Sequence, residues 1–337
     1  MKPVTIIGGG LAGLSLATGL ARRNVPVEVH EAGSYPRHRV CGEFISGISD
    51  STLSELGISD DLSDAKLHHS GIWFREGRPL MKMRLPEPAR GLSRFCLDER
   101  LKNRVRDCGG NVITNSRRKL SSEDGIVIAA GRRRQKSRWI GLKCHFKNLA
   151  MEEGLEMHLG KNGYLGLAPV EQGRVNLCAL FVKDNQAQGK GPELLFSYLA
   201  AGGHHELIER LNAAEIDETS FIGVSSLNLG WQEQSDSSFV IGDAGSVIPP
   251  FTGNGMSMAF KSAELALDPL TKWSRGEMGW NVALQASRKA QSKTFNRRLR
   301  SALTLQNILL HPQGQDLLES FSKLGVIPFR MLLSLVR

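Results

Sequence analysis

The first pattern that could do chemistry is a glycine-rich turn followed at a distance by an acid. Gly8, Gly10 and Gly13 have the spacing G-x-G-x-x-G, and Glu31 lies 23 residues after Gly8. Glycines permit a tight turn and a close approach of backbone to a pyrophosphate, and a carboxylate accepts hydrogen bonds from a ribose. The spacing therefore predicts a dinucleotide-binding site.

The residues around this turn predict the elements that must position it. Residues 3–7 indicate a buried strand, residues 11–23 a helix, and residues 25–30 a second strand that leads to Glu31. A helix that begins at the turn directs unpaired N–H groups and a positive dipole end toward phosphate. The strand–helix–strand order favours this interpretation over a glycine-rich turn of an unrelated α/β domain.

The motif occurs in one convincing copy, at the start of the sequence. The segment VIAAGRRR lacks the glycine spacing, and the remaining chain is not typical of a dehydrogenase catalytic domain. These features favour FAD as a permanently bound cofactor, with NAD(P)H as a transient electron donor.

Composition narrows the remaining classes of function. The chain has 337 residues, enough for two domain-sized units, and a net charge of +9. No nucleic-acid-binding motif accompanies this charge, so nucleic acid is not predicted as a partner. The five cysteines form no CxxC pair, which argues against disulfides and structural zinc and favours a reducing cytoplasm. No His/carboxylate spacing predicts a metal.

A second pattern, GDAGSVIPPFTGNG at 242–255, places one acid and a stiff loop before a helical segment. Asp243 follows an apolar run, Pro249 and Pro250 are adjacent, and Gly253 and Gly255 precede the helix. A strand-to-helix turn is the simple interpretation, and a ligand-binding loop is the other.

Four segments together carry a family resemblance. They are the N-terminal motif with Glu31, YPRHRVCGEFIS at 35–46, LSRFCLDERL at 92–101, and the loop at 242–255 with its helix. They resemble the flavoprotein superfamily of aromatic-ring hydroxylases, flavin-dependent halogenases and geranylgeranyl reductases. The resemblance covers residues 1 to about 305, and the VCGE motif places it nearest the geranylgeranyl-reductase-like branch.

The resemblance implies where FAD binds. Asp243 contacts the ribityl and pyrophosphate side, the following loop wraps the flavin ring, and the next helix directs its N-terminus at the ring. Arg94 lies along the phosphates or ribityl chain, and an ion pair within its own helix is the open alternative. The predicted cofactor-binding residues are Gly8, Gly10, Leu11, Ala12, Gly13, Glu31, Arg39, Gly42, Arg94, Asp243, Pro250, Gly253, Asn254, Gly255 and Met256.

Cys41 is the one catalytic or channel residue that the resemblance nominates. A small buried side chain is the alternative role of a free cysteine. The flanking Arg37 and Arg39 either face phosphate, lower the thiol pKa or lie in solvent. His38 and His145 are interpreted as structural, because a lone histidine usually is.

The middle of the chain alternates with the period of a strand. Residues 139–182 predict antiparallel strands with turns at 161–163 and 171–173. In the resembled superfamily such a sheet roofs the flavin, which implies Tyr164 and Leu165 as substrate-facing residues. Cross-strand packing is their alternative role.

We therefore predict a mixed α/β fold with three parts. Residues 1–70, 92–138 and 235–303 form a discontinuous Rossmann-like FAD-binding domain, residues 71–91 and 139–234 form an inserted antiparallel-sheet substrate domain, and residues 304–337 form a helical tail. The basic stretch at 131–139 is interpreted as a solvated face, with an anionic ligand or membrane as alternatives. The apolar tail packs back on the protein, anchors it peripherally to a membrane, or forms a dimer contact, and the oligomeric state stays open.

The leading function is an FAD-dependent, geranylgeranyl-reductase-like oxidoreductase that passes electrons from NAD(P)H or another donor to an apolar, polyketide-like or isoprenoid-like small molecule. A monooxygenase that hydroxylates with O₂ is the alternative, and a non-catalytic flavin-binding protein is a further one. Ala130-Gly131 replaces the Asp-Gly of ring hydroxylases, and the halogenase W-x-W-x-I-P signature is absent.

Overall fold

The structure, a computed structural model, describes residues 1–132, 135–324 and 329–336. Residues 133–134 of the basic stretch and residues 325–328 and 337 of the tail lie outside this range. The strands are β1 Val4–Ile7, β2 Val27–His30, β3 Phe44–Ile45, β4 Lys66–Arg75, β5 Arg78–Gly91, β6 Asn111–Ile113, β7 Ile126–Ile128, β8 Trp139–Lys147, β9 Glu156–Gly160, β10 Gly163–Pro169, β11 Arg174–Val182, β12 Glu215–Val224, β13 Gly230–Trp231, β14 Phe239–Val240 and β15 Ser246–Val247. The helices are α1 Leu11–Arg22, α2 Asp50–Leu56, α3 Arg94–Asp107, α4 Pro192–Ala201, α5 His205–Asn212, α6 Gly255–Arg275, α7 Trp280–Leu310, α8 Pro312–Lys323 and α9 Phe329–Val336.

A parallel sheet organises the nucleotide-binding part of the fold. Its described strands follow the order β14-β7-β1-β2-β6, and each neighbouring pair is parallel. Because all of its strands run the same way, the residues that follow β1, β2, β7 and β14 meet at one edge. Gly8, Glu31, Ala129 and Gly242 therefore lie at the same edge of the sheet.

Helices cover this sheet with apolar side chains. α1 packs between the sheet, α3 and α6, and Leu14 and Leu20 of α1 are fully buried with Phe260 and Leu267 of α6. Gly19 allows the close approach of α1 to α6, because a Cβ there would lie 3.0 Å from the Leu267 side chain. This packing holds the two helices side by side.

A second, mixed sheet forms the other half of the molecule. Its described strands follow the order β12-β8-β11-β10-β9-β4-β5-β3. The pairs among β8–β11 are antiparallel, as the alternating pattern predicts, whereas β4 pairs with β9 in parallel. α4 and α5 cover one face with Leu195, Leu199 and Leu207. The mixed α/β class with a Rossmann-like sheet is thus confirmed.

The chain passes repeatedly between the two sheets. It builds β1 and β2, leaves for β3, β4 and β5, returns for β6 and β7, leaves again for β8–β12, and returns for β14. β3 and β4 begin at Phe44 and Lys66, before the predicted boundary at residue 70, so the second sheet begins earlier in the chain than expected. The division into domains stays a prediction.

The described part of the tail packs back on the protein. Gln315 of α8 donates hydrogen bonds to the carbonyl oxygens of Gly160 and Leu309, and Arg75 of β4 pairs with Asp316 and Glu319. Val336 of α9 is buried and its carbonyl oxygen accepts a 2.6 Å hydrogen bond from Asn254 Nδ2. The tail therefore contacts both halves of the molecule.

Candidate functional site

A cavity of about 1350 Å³ is lined by residues of both sheets and of the C-terminal helices. The glycine turn after β1, the Cys41 loop, α3, the loop before α6 and strands β4, β5 and β9–β11 all contribute to its wall. This volume exceeds that of most small-molecule sites, which span roughly 300–1,000 Å³. The cavity is the candidate site.

The glycine turn combines two crowded positions with one open position. Gly8 has a φ of +115°, and a Cβ there would lie 2.2 Å from the Ala129 carbonyl oxygen. A Cβ on Gly13 would lie 2.0 Å from the Gly8 carbonyl oxygen, so Gly13 sets the close packing of α1 on β1. A Cβ on Gly10 would meet only Arg94 Nη2, 3.9 Å away. Gly10 therefore faces open cavity, whereas Gly13 is buried against the strand.

The N-terminus of α1 is free to bind an anion. Gly10 is its N-cap residue, no side chain caps it, and its described first turn contains no acid. Leu11 and Ala12 line the cavity beside Gly10. The unpaired N–H groups and the helix dipole favour a negatively charged group at this position.

Glu31 is buried at the sheet edge with both oxygens engaged. Oε2 accepts a 2.9 Å hydrogen bond from Gly9 N, and Oε1 accepts one of 2.9 Å from Gly33 N and one of 2.6 Å from Arg37. Burial alone would raise the pKa of Glu31, but the hydrogen bond from Gly33 and the charges of Arg39 and Arg37 lower it overall. Glu31 is therefore an ionised acceptor at the cavity wall.

Arg94 and Arg39 share one buried carboxylate. Arg94 binds both oxygens of Asp98 at 2.6 and 2.9 Å, and Arg39 Nε lies 2.9 Å from Asp98 Oδ2. Asp98 is completely buried, and both arginines line the cavity. The ion pair within α3 is therefore present, and it orients Arg94 beside Gly10. The two proposed roles of Arg94 are compatible.

The polar end of the cavity is rich in arginine. Among the residues that the structure describes, six arginines and two carboxylates line the wall. Arg132 Nη1 lies 3.8 Å from Asp243 Oδ2, so one residue of the basic stretch faces the cavity instead of solvent. The arginines are Arg37, Arg39, Arg94, Arg117, Arg118 and Arg132. The sequence analysis did not predict Arg117 and Arg118 as cavity residues. The one signal for them is that they form an adjacent basic pair shortly after β6.

The loop before α6 forms a further part of the cavity wall. Gly253 has a φ of +66°, and a Cβ there would lie 2.9 Å from the Phe44 ring. Asp243, Pro250, Gly253, Gly255 and Met256 line the cavity. The first turn of α6 has no acid and no side-chain cap.

Asn254 differs from its neighbours in this loop. It is buried away from the cavity wall, where Oδ1 accepts a 3.0 Å hydrogen bond from Ser46 and Nδ2 donates to Val336 O. The structure therefore corrects the expectation of a direct cofactor contact, because its amide joins the loop to the Ser46 segment and to α9.

Cys41 and Gly42 line the cavity with Cys178 of β11. Asn176 Nδ2 donates a 3.0 Å hydrogen bond to the Cys41 carbonyl oxygen, which fixes the Cys41 loop on β11. Burial raises the pKa of the Cys41 thiol, although Arg94 acts in the opposite direction. Of the three alternatives for Arg37 and Arg39, the structure shows both lining the cavity, where Arg37 pairs with Glu31 and Arg39 with Asp98.

The other end of the cavity is apolar. Tyr164 lines it from β10, and its hydroxyl donates a 3.0 Å hydrogen bond to Gln306 of α7. Leu165 is the next residue on the strand, so it points to the opposite face and packs among the side chains under α4 and α5. The sheet side of this apolar wall comprises Trp73, Met81, Met83, Leu85, Met157 and Leu180.

The C-terminal helices complete the apolar end. Leu305 and Leu309 of α7, Leu318 and Phe321 of α8, and Leu333 of α9 line the cavity. These contacts were missed from the sequence, since an apolar helix does not reveal which surface it covers.

A cluster of charged groups lies behind the Cys41 loop. Glu43 and Lys143 are completely buried, and Glu43 Oε1 lies 3.5 Å from Lys143 Nζ. His145 Nε2 lies 2.6 Å from Glu43 Oε2, and Lys143 Nζ lies 3.0 Å from His38 Nδ1. His38, Glu43 and His145 have a spacing that suits a metal ion, but the ammonium of Lys143 already supplies the positive charge. Interpreting both histidines as isolated structural residues was therefore incomplete.

The chain is similar to several known flavin-dependent or reductase proteins. No family model matches the chain. The chain is 23% identical over 359 residues to the menaquinone reductase of Mycolicibacterium smegmatis, a match that covers 91% of this chain and 85% of that protein. A geranylgeranyl bacteriochlorophyll reductase-like protein from Thermoplasma acidophilum has a TM-score of 0.76 at 17% identity, covering 100% of this chain and 96% of that one.

A third similar protein comes from the monooxygenases. PqsL from Pseudomonas aeruginosa, described as a probable FAD-dependent monooxygenase, has a TM-score of 0.71 at 16% identity, covering 94% of this chain and 99% of that one. The fold is thus the one that FAD-dependent reductases and monooxygenases share. The four sequence segments predicted a resemblance to these kinds of protein, and the comparisons find that resemblance in the fold. Among the described helices, none is both long and apolar enough to cross a membrane.

Proposed function

We propose, from the premise that the chain has the fold of the FAD-dependent oxidoreductases, that it binds FAD in this cavity and reduces a carbon–carbon double bond of an apolar, isoprenoid-like or polyketide-like small molecule. One observation carries the proposal. A single cavity joins an arginine-rich end, where two helices begin, to an apolar end walled by the mixed sheet and α7–α9.

The polar end suits the dinucleotide part of FAD. The free N-terminus of α1, with Arg39 and Arg94 oriented by Asp98, would hold the pyrophosphate, and Glu31 would accept from the adenosine ribose. Asp243 and the N-terminus of α6 would hold the ribityl chain and the flavin ring. Bound FAD would supply two-electron chemistry, with NAD(P)H or another donor as the source of electrons.

The apolar end indicates the substrate class. Its wall is mostly Leu, Met, Trp and Phe, and flexible methionines accommodate chains of irregular shape. The similarity to a menaquinone reductase, named for a substrate with an isoprenoid side chain, supports the same class.

Anaerobic turnover is the test of the proposal. The purified protein would be loaded with FAD, reduced without oxygen, and mixed with alkene substrates of increasing apolar length. A saturated product formed without O₂ supports the reductase. Consumption of one O₂ for each product molecule supports the monooxygenase, the alternative to which the likeness to PqsL points. Tight FAD binding without turnover on any donor or substrate leaves a flavin-binding protein, and absence of FAD binding refutes the proposal.

The proposed peripheral membrane contact has a structural candidate in α8. Leu317, Phe321 and the adjacent Leu324 lie on one helical face and are 52%, 42% and 71% exposed. Leu317 and Phe321 also line the cavity, so an apolar substrate would enter at this surface. Co-sedimentation with anionic phosphatidylglycerol vesicles, reduced in a Phe321→Ser and Leu324→Ser double variant, would support the contact, and equal binding of the variant would contradict it.

A further inference from the structure

The buried cluster behind the Cys41 loop connects to the cavity through His38. His38 is partly exposed, lines the cavity, and stacks on Phe95 of α3 with ring centroids 4.6 Å apart. Lys143, 3.0 Å from its Nδ1, has no exposed surface. One ring of the cluster thus meets the cavity, and the ammonium behind it does not.

The donors and acceptors in this cluster can be assigned from chemistry alone. An ammonium has three donors and no acceptor, so Lys143 donates to Nδ1 of His38, and the proton of the neutral ring is on Nε2. An ionised carboxylate only accepts, so Glu43 accepts from Nε2 of His145 and from Arg94 N at 3.0 Å. The Glu43 carboxylate thus lies beside Lys143, and the contact from Lys143 holds His38 in one tautomer.

The backbone conformation of Glu43 indicates that its carboxylate has a specific role at this position. Glu43 has a φ of +53°, in the left-handed region that is unfavourable for a residue other than glycine. Glycine or asparagine would adopt this conformation more easily. Neither glycine nor asparagine, however, would place a carboxylate beside Lys143.

We propose that His38 donates a proton to a molecule in the cavity, that Lys143 replaces that proton, and that Glu43 and His145 are positioning residues that keep Lys143 charged. The proposal rests on the proposed reductase function. Reduction of a double bond breaks the π bond and forms two C–H bonds. One hydrogen arrives as hydride with both electrons, from a reduced flavin cofactor, and the other arrives as a proton.

The proton balance closes within the cluster. The proton leaves His38 Nε2 for the second carbon, the ammonium of Lys143 gives one to Nδ1, and water from the cavity later returns one proton to the pair. No further oxidant or reductant is needed. The pKa of His38 is lowered to about 4, mainly by burial and further by Lys143 and His145. Glu43 and Asp217 of β12 act in the opposite direction. His38 is therefore neutral before the step.

Ring-nitrogen NMR of histidine-labelled protein tests the cluster without any turnover. In the wild type we expect the His38 signal of a ring protonated on Nε2, with no titration between about pH 5 and 8. In Lys143→Met we expect the pKa of His38 to rise toward its ordinary value and the tautomer to mix. Lys147→Met is the matched control, since Lys147 lies on the same strand but is exposed and pairs with Glu215.

The wild-type spectrum keeps the proposal falsifiable if Lys143→Met does not fold. A His38 ring that titrates near its ordinary pKa, or that carries its proton on Nδ1, overturns the proposal. A His38 tautomer that is unchanged in a folded Lys143→Met protein overturns it as well.

Turnover of the FAD-loaded enzyme then separates this proposal from the proposed function. We expect His38→Gln to bind FAD and accept electrons normally but to form product about 100-fold more slowly, the low end of general acid catalysis. His69→Gln, a change at an exposed histidine, is the control. If the wild type reduces alkenes and His38→Gln does so equally fast, His38 is not the donor. If the wild type reduces no alkene, the reductase function fails while the NMR result still decides the cluster.

Discussion

At the scale of single residues, the three motif glycines illustrate how one sequence pattern contains separate physical tasks. Gly8 and Gly13 leave no space for a side chain, and they shape the turn. Gly10 has open space around it and an extended backbone, so the protein itself does not require a glycine there. A cofactor that packs against the Gly10 backbone would require one.

Gly10→Val should therefore fold and lose FAD. Its backbone, at φ −90° and ψ −173°, suits valine, and the nearest atom to an added Cβ is 3.9 Å away. The branched side chain would cover the N-terminus of α1. Flavin absorbance after desalting and the thermal midpoint check this, with Gly13→Val as the contrast, because that change should lower stability itself. Retention of FAD by Gly10→Val would contradict the proposed position of the pyrophosphate.

Cys41→Ala should keep FAD and turn over more slowly. The thiol lines the cavity, and its raised pKa keeps it protonated at neutral pH, so it acts as a neutral wall group and not as a thiolate. The rate of product formation and the FAD content check this, with Cys108→Ala, remote from the cavity wall, as control. Unchanged turnover in Cys41→Ala would contradict this prediction and would show that Cys41 only packs in the wall.

At the scale of elements, much of the candidate site was predictable and some of it was not. The strand–helix–strand unit and the loop before α6 are local patterns, so their residues predict their own positions. His38 and His145 come together only through the register of β8 with its neighbours, which the residues near either histidine do not encode. Tyr164 and Leu165 are neighbours on β10, so only one of them can line the cavity, and alternation does not say which one; Leu165 is the one that points to the other face.

Helix α8 should limit the length of substrate. Leu318 lines the apolar end of the cavity, so Leu318→Trp should shorten the longest apolar chain that binds while leaving FAD binding unchanged. Competition by a series of prenyl alcohols of increasing length would measure this. Leu67→Trp is the matched control, since Leu67 is 51% exposed and is not part of the wall. An identical length profile in both variants would show that the substrate lies elsewhere.

At the scale of the whole molecule, a net charge of +9 coexists with buried neutral histidines. His68 and His204 are almost completely buried, and burial lowers the pKa of each to about 4. The unfolded chain, in which these rings recover ordinary pKa values, binds protons that the folded protein excludes.

Stability should consequently fall as the pH drops from about 6.5 toward 4. Each histidine contributes up to about 1.4 kcal/mol of lost unfolding free energy per pH unit within that window, and nothing further below it. Urea unfolding between about pH 5 and 7 would measure the slope. His204→Leu should reduce the slope, because it removes one of the two titrating rings. The variant should still fold, because among the described residues His204 Nε2 has no hydrogen-bond partner that would be lost. An unchanged slope in that variant would contradict the assignment.

The path of the chain between the two sheets also constrains how this architecture diversifies. A new substrate-facing sheet cannot be acquired by exchanging one continuous gene segment, because its strands are encoded in two blocks separated by β6 and β7. Recombination between relatives would have to cross at four junctions and preserve strand register at each. Divergence by point substitution on a fixed backbone is the easier route, so laboratory variation of specificity should begin with wall residues rather than with chimeras.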